Sequence, residues 1–278
     1  MVHATPRLAQ VCEEEGWSWF DGAGNCRLDV PGLLYMERTG RPPAPELRER
    51  RVPNLRSPEA ARVIRALLSV NNAGRRWVQR EVVQHFEAEP IPIPLPSLAL
   101  VNKLVRDLAA QDLVTTSARG FEVSKPDALL KVWADQYPYE RQVRRRYFTL
   151  LREDQLHQRM ARVARQSVFP VAFGVFSAAN QQAPHVRQPR TWLYVHPDHE
   201  PELTSQLEAR PVDSGDNLVL LIPDDLGVFY QLDRTAPVPC TNLVQTYVDL
   251  CHAGGRGRDG AEALRTQRIL PGWKSERR

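Results

Sequence analysis

The chain has 278 residues, enough for two domains and a small third, and its 42% hydrophobic and 25% charged residues are those of a globular protein able to bury a core. No run of about 18 apolar residues occurs, so no membrane-spanning helix is expected, and the first residues lack the apolar core of a signal peptide, so a cytoplasmic location is expected. Four scattered cysteines (Cys12, Cys26, Cys240, Cys251) form no C-x-x-C pair and read as reduced thiols, with no zinc site and no cofactor expected.

Residues 6–15 read as a short helix ending at Gly16. Residues 17–20 read as a strand, 21–25 as a turn, 26–30 as a returning strand and 33–38 as a third, together a small α/β hairpin element. Residues 40–56 are rich in Pro and Arg, lack an apolar period and read as a surface linker.

Residues 57–126 outline three helices and a hairpin. Ser57 caps the first helix and Pro58 fits its first position. Val63, Leu67 and Val70, with Ile64 and Leu68 beside them, give it one apolar face, and 71–74 end it. Residues 77–86 make the second helix. Across 90–96 every second residue is proline, and each disfavours the α conformation just before it, so this is an extended bridge longer than a standard turn. Residues 97–108 make the third helix, with Val101, Leu104, Val105 and Leu108 facing the core. Strands at 113–116 and 121–124 flank a turn at 117–120. This is the outline of a winged helix-turn-helix, a module that places one helix in a DNA groove.

Asn102, Lys103 and Arg106 fall on the outer side of the third helix, with Ser97 and Leu100 near its N-terminus. Asn can bond two edge atoms of adenine, and Lys or Arg the O6 and N7 of guanine, so these five are candidate DNA-contacting residues. Arg75, Arg76 and Arg80 at the start of the second helix would sit beside phosphates, and Arg119 at the wing tip can enter the minor groove. A winged helix serving only protein contacts is the alternative.

Residues 127–166 read as a mostly helical, basic connector. Between 140 and 166 lie eight arginines against three acids, an excess larger than the +4 of the whole chain. Such a cluster suits phosphate contact, with Arg141, Arg144, Arg145 and Arg146 as candidates, and a solvated arginine-rich helix face fits it equally. Residues 167–278 read as an α/β domain. It has strands at 191–195, 217–223 and 228–230, a helix near 201–209, helix over 241–264 broken at 253–258, and a mobile tail at 274–278. The fold class expected is therefore α+β: a winged helix-turn-helix (57–126), the connector (127–166) and a C-terminal α/β domain (167–278), preceded by the small N-terminal element and linker (1–56).

Three further patterns invite chemistry. In His196-Pro197-Asp198-His199-Glu200 the proline breaks any shared helical face, so a strand-to-helix turn with Asp198 near a cap is expected rather than a metal site. Gly254-Gly255-Arg256-Gly257-Arg258 lacks the P-loop order and follows a helix, which favours an interhelical turn with exposed arginines. Asp21 and Glu37, on adjacent expected strands, are the one carboxylate pair suggestive of a metal-dependent nuclease, yet no lysine occurs before Lys103. No catalytic residue and no metal ligand is assigned.

Several blocks carry a family resemblance. At the front stand Gly16-Trp17-Ser18-Trp19-Phe20-Asp21-Gly22-Ala23-Gly24-Asn25, Gly120-Phe121 and Asp127-Ala128-Leu129-Leu130-Lys131-Val132-Trp133. Then come Phe173-Gly174-Val175-Phe176-Ser177-Ala178-Ala179-Asn180 with Ala183-Pro184, and Asn217-Leu218-Val219-Leu220-Leu221-Ile222-Pro223. The most specific is Leu243-Val244-Gln245-Thr246-Tyr247-Val248-Asp249-Leu250 followed by Gly255-Arg256-Gly257-Arg258-Asp259-Gly260-Ala261-Glu262-Ala263-Leu264. On these residues the chain resembles the AbiEi-type antitoxins of bacterial type IV toxin–antitoxin systems, in the longer branch described as transcriptional regulators. The resemblance implies an N-terminal DNA-binding module that represses its own operon. It also implies a C-terminal domain that counters a nucleotidyltransferase-type toxin without a stable complex. The family's reading helix maps onto 97–108 and its wing onto 115–123.

The expectation is a sequence-specific regulator of double-stranded DNA that acts on its own promoter, is associated with the nucleoid, and binds as a homodimer or in pairs on two half-sites. Two rivals stand beside it: a nuclease or nucleotidyltransferase using Asp21 and Glu37, and a non-specific DNA-binding or repair factor using the arginine stretch.

Overall fold

Thr5 starts the first element: its side chain accepts from the Leu8 N–H, and Pro6 occupies the first position of α1 (Pro6–Glu14). β1 (Trp19–Phe20), β2 (Cys26–Val30) and β3 (Leu34–Arg38) follow as an antiparallel sheet in the order β1-β2-β3. Asp21 closes the β1–β2 turn, accepting from the N–H groups of Ala23 and Asn25 at 2.9 and 2.8 Å and from the Asn25 amide at 2.9 Å. The computed structural model describes residues 4–41 and 53–275, and the chain falls into two units, Met1–Arg51 and Val52–Arg278. Most of the expected linker, 42–52, lies outside the described residues.

In the second unit Ser57 caps α2 (Pro58–Leu68) by accepting from the Ala60 N–H. α3 (Gln79–Glu87) begins two residues later than expected. Trp77 is drawn out of the helix by a two-way backbone pairing with Phe121, both bonds 2.8 Å. The proline bridge between α3 and α4 (Leu98–Ala109) is extended, and Ile91 and Ile93 bury between its prolines. β4 (Val114–Ser117) and β5 (Gly120–Val123) form the hairpin. Gly120 is required there: its φ is +120°, and an added Cβ would lie 2.2 Å from the Trp77 carbonyl oxygen.

The basic connector is helical in α5 (Pro126–Gln136), in a 3₁₀ turn (Tyr139–Arg141) and in the arginine-bearing α6 (Glu153–Gln166), but not between them: residues 143–148 form β6 (Val143–Phe148). The physical reason is non-local: β6 pairs along its length with β10 (Leu218–Ile222), an apolar strand whose partner cannot be read from the arginines themselves. β7 (Val171–Phe173), α7 (Val175–Gln182), β8 (Thr191–Val195), α8 (Glu200–Gln206) and β9 (Arg210–Pro211) complete a five-stranded mixed sheet, order β7-β8-β10-β6-β9.

The segment 228–230 is not a strand. Asp225 accepts from the Gly227 N–H and winds Leu226–Phe229 into a 3₁₀ turn that buries Val228 and Phe229. α9 (Leu243–His252) and α10 (Gly257–Leu264) are joined at Gly254 and Gly255, both at positive φ, as the interhelical turn expected. Helix then continues past Leu264, through a π turn (Arg265–Ile269) into α11 (Leu270–Ser275). Trp273 anchors that end, its indole N–H donating to the Leu68 carbonyl at 2.9 Å, and of the expected tail 274 and 275 belong to α11 while 276–278 lie outside the described residues.

The sheet is the middle layer. Alternate residues of β8 and β10 point to opposite faces. Leu193, Leu218 and Leu220 meet Leu156 and Met160 of α6 and Leu203 of α8. Trp192, Tyr194, Val219 and Leu221 join a second core shared with α2, α4, α5, α7 and α9. The three-helix module and the sheet therefore bury one continuous apolar interior.

Candidate nucleic-acid interface

On α4 the apolar spacing fixes which residues face out. Val101, Leu104, Val105 and Leu108 are buried, which leaves Asn102, Lys103 and Arg106 exposed on the opposite side. Gln79 at the start of α3 donates to the Asn102 side-chain oxygen at 3.4 Å, so an α3 residue that the sequence pattern did not single out joins this face. Lys103 and Arg106 have no side-chain partner among the described residues.

Two of the expected contacts have other tasks. Ser97 is the N-cap of α4, its hydroxyl accepting from the Leu100 N–H, while its own N–H donates to Glu59. Leu100 is half-buried against the core. Ser97, Leu98 and Ala99 are the exposed residues at this helix end.

The arginines around α3 differ from one another. Arg75 lies over the Trp77 ring, 3.9 Å from its centroid, and Arg76 is 3.5 Å from the Glu122 carboxylate. Arg80 is exposed without a partner among the described residues, as is the Arg119 side chain at the hairpin tip. The Ser117 hydroxyl accepts the Arg119 N–H and shapes that turn.

The arginines from 141 onward do not form one basic face. Arg144 and Arg146 stand beside Leu221 and Val219 on one face of the sheet, whereas Arg145 stands beside Leu220 on the other. Arg145 is paired at 2.6 Å with the buried carboxylate of Glu200, which also accepts from the Tyr147 hydroxyl at 2.7 Å. Burial and Glu200 together push the Tyr147 hydroxyl up. Arg141 donates to the Arg56 carbonyl, and Arg159 on α6 is held by Glu208 at 2.6 Å.

The carboxylates and histidines weighed for metal chemistry have partners within the protein. β2 stands between β1 and β3, so Asp21 and Glu37 are not on adjacent strands. Burial alone would raise Asp21, but donors led by the Asn25 side chain hold it well below the usual carboxylate range. Glu37 accepts from Tyr35. At 196–200 the strand-to-helix turn is present, with Asp198 near the cap: the His196 Nδ1 accepts the Asp198 N–H, and His199 is buried against the Ser167 hydroxyl. Among the described residues no group of three His, Cys, Asp or Glu is placed to hold a metal ion, and no helix is long and apolar enough to cross a membrane.

Sequence reasoning missed a buried polar network behind this surface. Arg65 of α2, 1% exposed, donates to Gln245 of α9 and lies over the Trp133 ring, 5.4 Å from its centroid. Gln245 donates in turn to Asp249 at 2.8 Å and to the Tyr137 hydroxyl at 2.9 Å. Burial raises Asp249 to about 7 against the opposing hydrogen bonds of Tyr194 and Gln245 and the charge of Arg65. The available signal was the i, i+4 pair Gln245 and Asp249 inside a largely apolar helix.

The layout is that of a mixed α/β protein in which a helical module with an exposed polar helix face is fused to a sheet through a shared core. The family described as transcriptional regulator, AbiEi antitoxin, type IV TA system matches residues 122–270, and the chain belongs to it. The match begins inside β5, so α2, α3 and α4 precede it. No curated protein matches the chain, and no solved structure does.

Proposed function

We propose that α2–α4 and the β4–β5 hairpin act as a winged helix-turn-helix that reads double-stranded DNA, and that the protein represses transcription from its own promoter. The observation that carries this is the outer face of α4, where Asn102, Lys103 and Arg106 stand clear of the core beside Gln79. In this reading α4 enters the major groove, where these side chains bond base edges. Arg80 meets backbone phosphate and Arg119 of the wing reaches the minor groove. Arg75 and Arg76 steady the start of α3 from their places on Trp77 and beside Glu122. Ser97 and Leu100 set the position of the helix instead of reading bases.

Arg144 and Arg146 add sequence-independent phosphate affinity, and Arg145 holds Glu200. Regulators of this architecture bind two half-sites, so two copies on one operator are expected. Family membership supports the regulatory role and the association with a toxin–antitoxin system. The C-terminal portion is the element expected to oppose a nucleotidyltransferase-type toxin.

The test is fluorescence anisotropy of the purified chain on duplex from the region upstream of its own gene and on a scrambled duplex, across a salt series. Preference for the upstream duplex at physiological salt supports the reading. Equal, salt-sensitive affinity for both supports the non-specific rival instead.

A further inference from the structure

A cleft of about 540 Å³ opens between α6 and α7 on the side of the sheet where β8 begins. It is remote in sequence from α4, and nothing in the DNA-reading account uses it. Its size is that of a small-molecule site. α7 presents Phe176, Ser177, Asn180 and Gln181 to it, positions that share one helical face. The start of α7 is locked onto the sheet. A Cβ on Gly174 would lie 2.6 Å from the Tyr194 ring, and buried Val175 holds a φ of +49°, a costly conformation for a β-branched residue.

The polar groups around the cleft divide into two sets. Ser177, Arg190 and Asn217 are spent: Ser177 accepts the Trp192 N–H, Arg190 pairs with Asp216 at 2.8 Å, and Asn217 bonds Thr149 in both directions. Asn180, Gln181, Arg187, Gln188 and Glu153 have no side-chain partner among the described residues, and all line the same space. Beneath them the lining is apolar, with Leu156, Phe173, Phe176 and Val186, and the His157 ring stands 5.3 Å from Phe173.

Each free group matches one part of a nucleotide. Carboxamides donate and accept side by side, as a base edge requires. An unpaired guanidinium suits a phosphate. A free carboxylate suits a ribose diol, and an apolar floor suits the plane of a base. One free arginine matches one phosphate. We propose that this cleft binds a nucleoside monophosphate, with Asn180 and Gln181 on the base, Arg187 on the phosphate and Glu153 on the ribose. The site stands independently of DNA reading by α4.

The test is isothermal titration calorimetry of the full chain with each of the four ribonucleoside 5′-monophosphates and with inorganic phosphate. At least one monophosphate is expected to bind, and Asn180→Ala and Arg187→Ala each to weaken it tenfold or more. Arg162→Ala, an exposed change on α6 outside the cleft, is expected to leave it unchanged. Asn180 and Arg187 are exposed, so melting temperatures should stay at the wild-type value and separate lost binding from lost folding. No binding of any of the four, binding indifferent to both variants, or phosphate alone binding as tightly as the nucleotide would each overturn the proposal.

Discussion

Arg65 and Gln245, 180 positions apart, meet in a fully buried hydrogen bond that joins α2 of the helical module to α9 beside the sheet. Around it, Asp225 accepts from Arg62 while lying 3.9 Å from Arg65. The guanidinium of Arg65 also faces Trp133 and Tyr137. A buried charge is tolerated only when its partners are in place, so both segments must be docked before either is complete.

Removing Arg65 therefore tests the shared core. Arg65→Ala leaves Gln245 and Asp249 without their cation and is expected to destabilise the protein by about 3–5 kcal/mol. The check is the urea midpoint, followed through Trp77 of the module and Trp192 of the sheet. Both probes should shift together. A shift seen by only one would mean that the two segments unfold separately.

Stability should vary with pH in two opposite ways. Asp249 is raised to about 7, so its contribution is full below its unfolded value and is lost as pH rises toward neutrality. His85, whose Nε2 meets the Tyr230 hydroxyl at 2.7 Å, is pushed down by burial and then by Arg75. Its contribution is full above the unfolded value of about 6.5 and is lost as pH falls below it. Asp249→Asn should abolish the loss on the rising side and leave the acid side unchanged, read as melting temperature across pH 4 to 9 on the order of one-unit steps. An unaltered profile in this variant would contradict the assignment.

The arginines of β6 should separate by face. Arg145→Ala strips Glu200 of its cation and is expected to cost about 1–3 kcal/mol of stability. Arg144→Ala and Arg146→Ala should leave stability unchanged and weaken cognate and scrambled duplexes alike. Thermal unfolding and anisotropy on the same three variants check this.

Gly120→Ala tests the hairpin. The added methyl has no room beside the Trp77 carbonyl, and the positive φ adds strain. Loss of the Trp77–Phe121 pairing should displace Arg119 and the start of α3 together. The expected result is a lower melting temperature and weaker DNA binding, whereas Gly215→Ala, at a positive φ in open space, should cost stability alone.

The helices of the module were legible because each carries its own signals: Ser57 with Pro58 at one start, Ser97 at another, and apolar spacing that sorts Val101 and Leu104 from Asn102 and Lys103. β6 was not legible, because Arg144, Arg145 and Arg146 show no alternation and their placement depends on a strand more than 70 residues away. Residues 228–230 have strand-forming side chains, yet Asp225 upstream winds Leu226–Phe229 into a 3₁₀ turn. The outer face of α4 followed from periodicity alone. The Gln79 contact and the Arg65–Gln245–Asp249 network required knowing which segments meet, which local pattern does not encode.

The central claim is that α4 reads bases. The most direct measurement is the ratio of affinities for the upstream and scrambled duplexes at physiological salt, for the wild type and for Lys103→Ala. Loss of one base contact is expected to reduce affinity for the upstream duplex by about 1–3 kcal/mol while leaving the scrambled duplex nearly unchanged, so the ratio falls. An equal drop on both duplexes would make Lys103 a phosphate contact, and no drop on either would remove α4 from the interface.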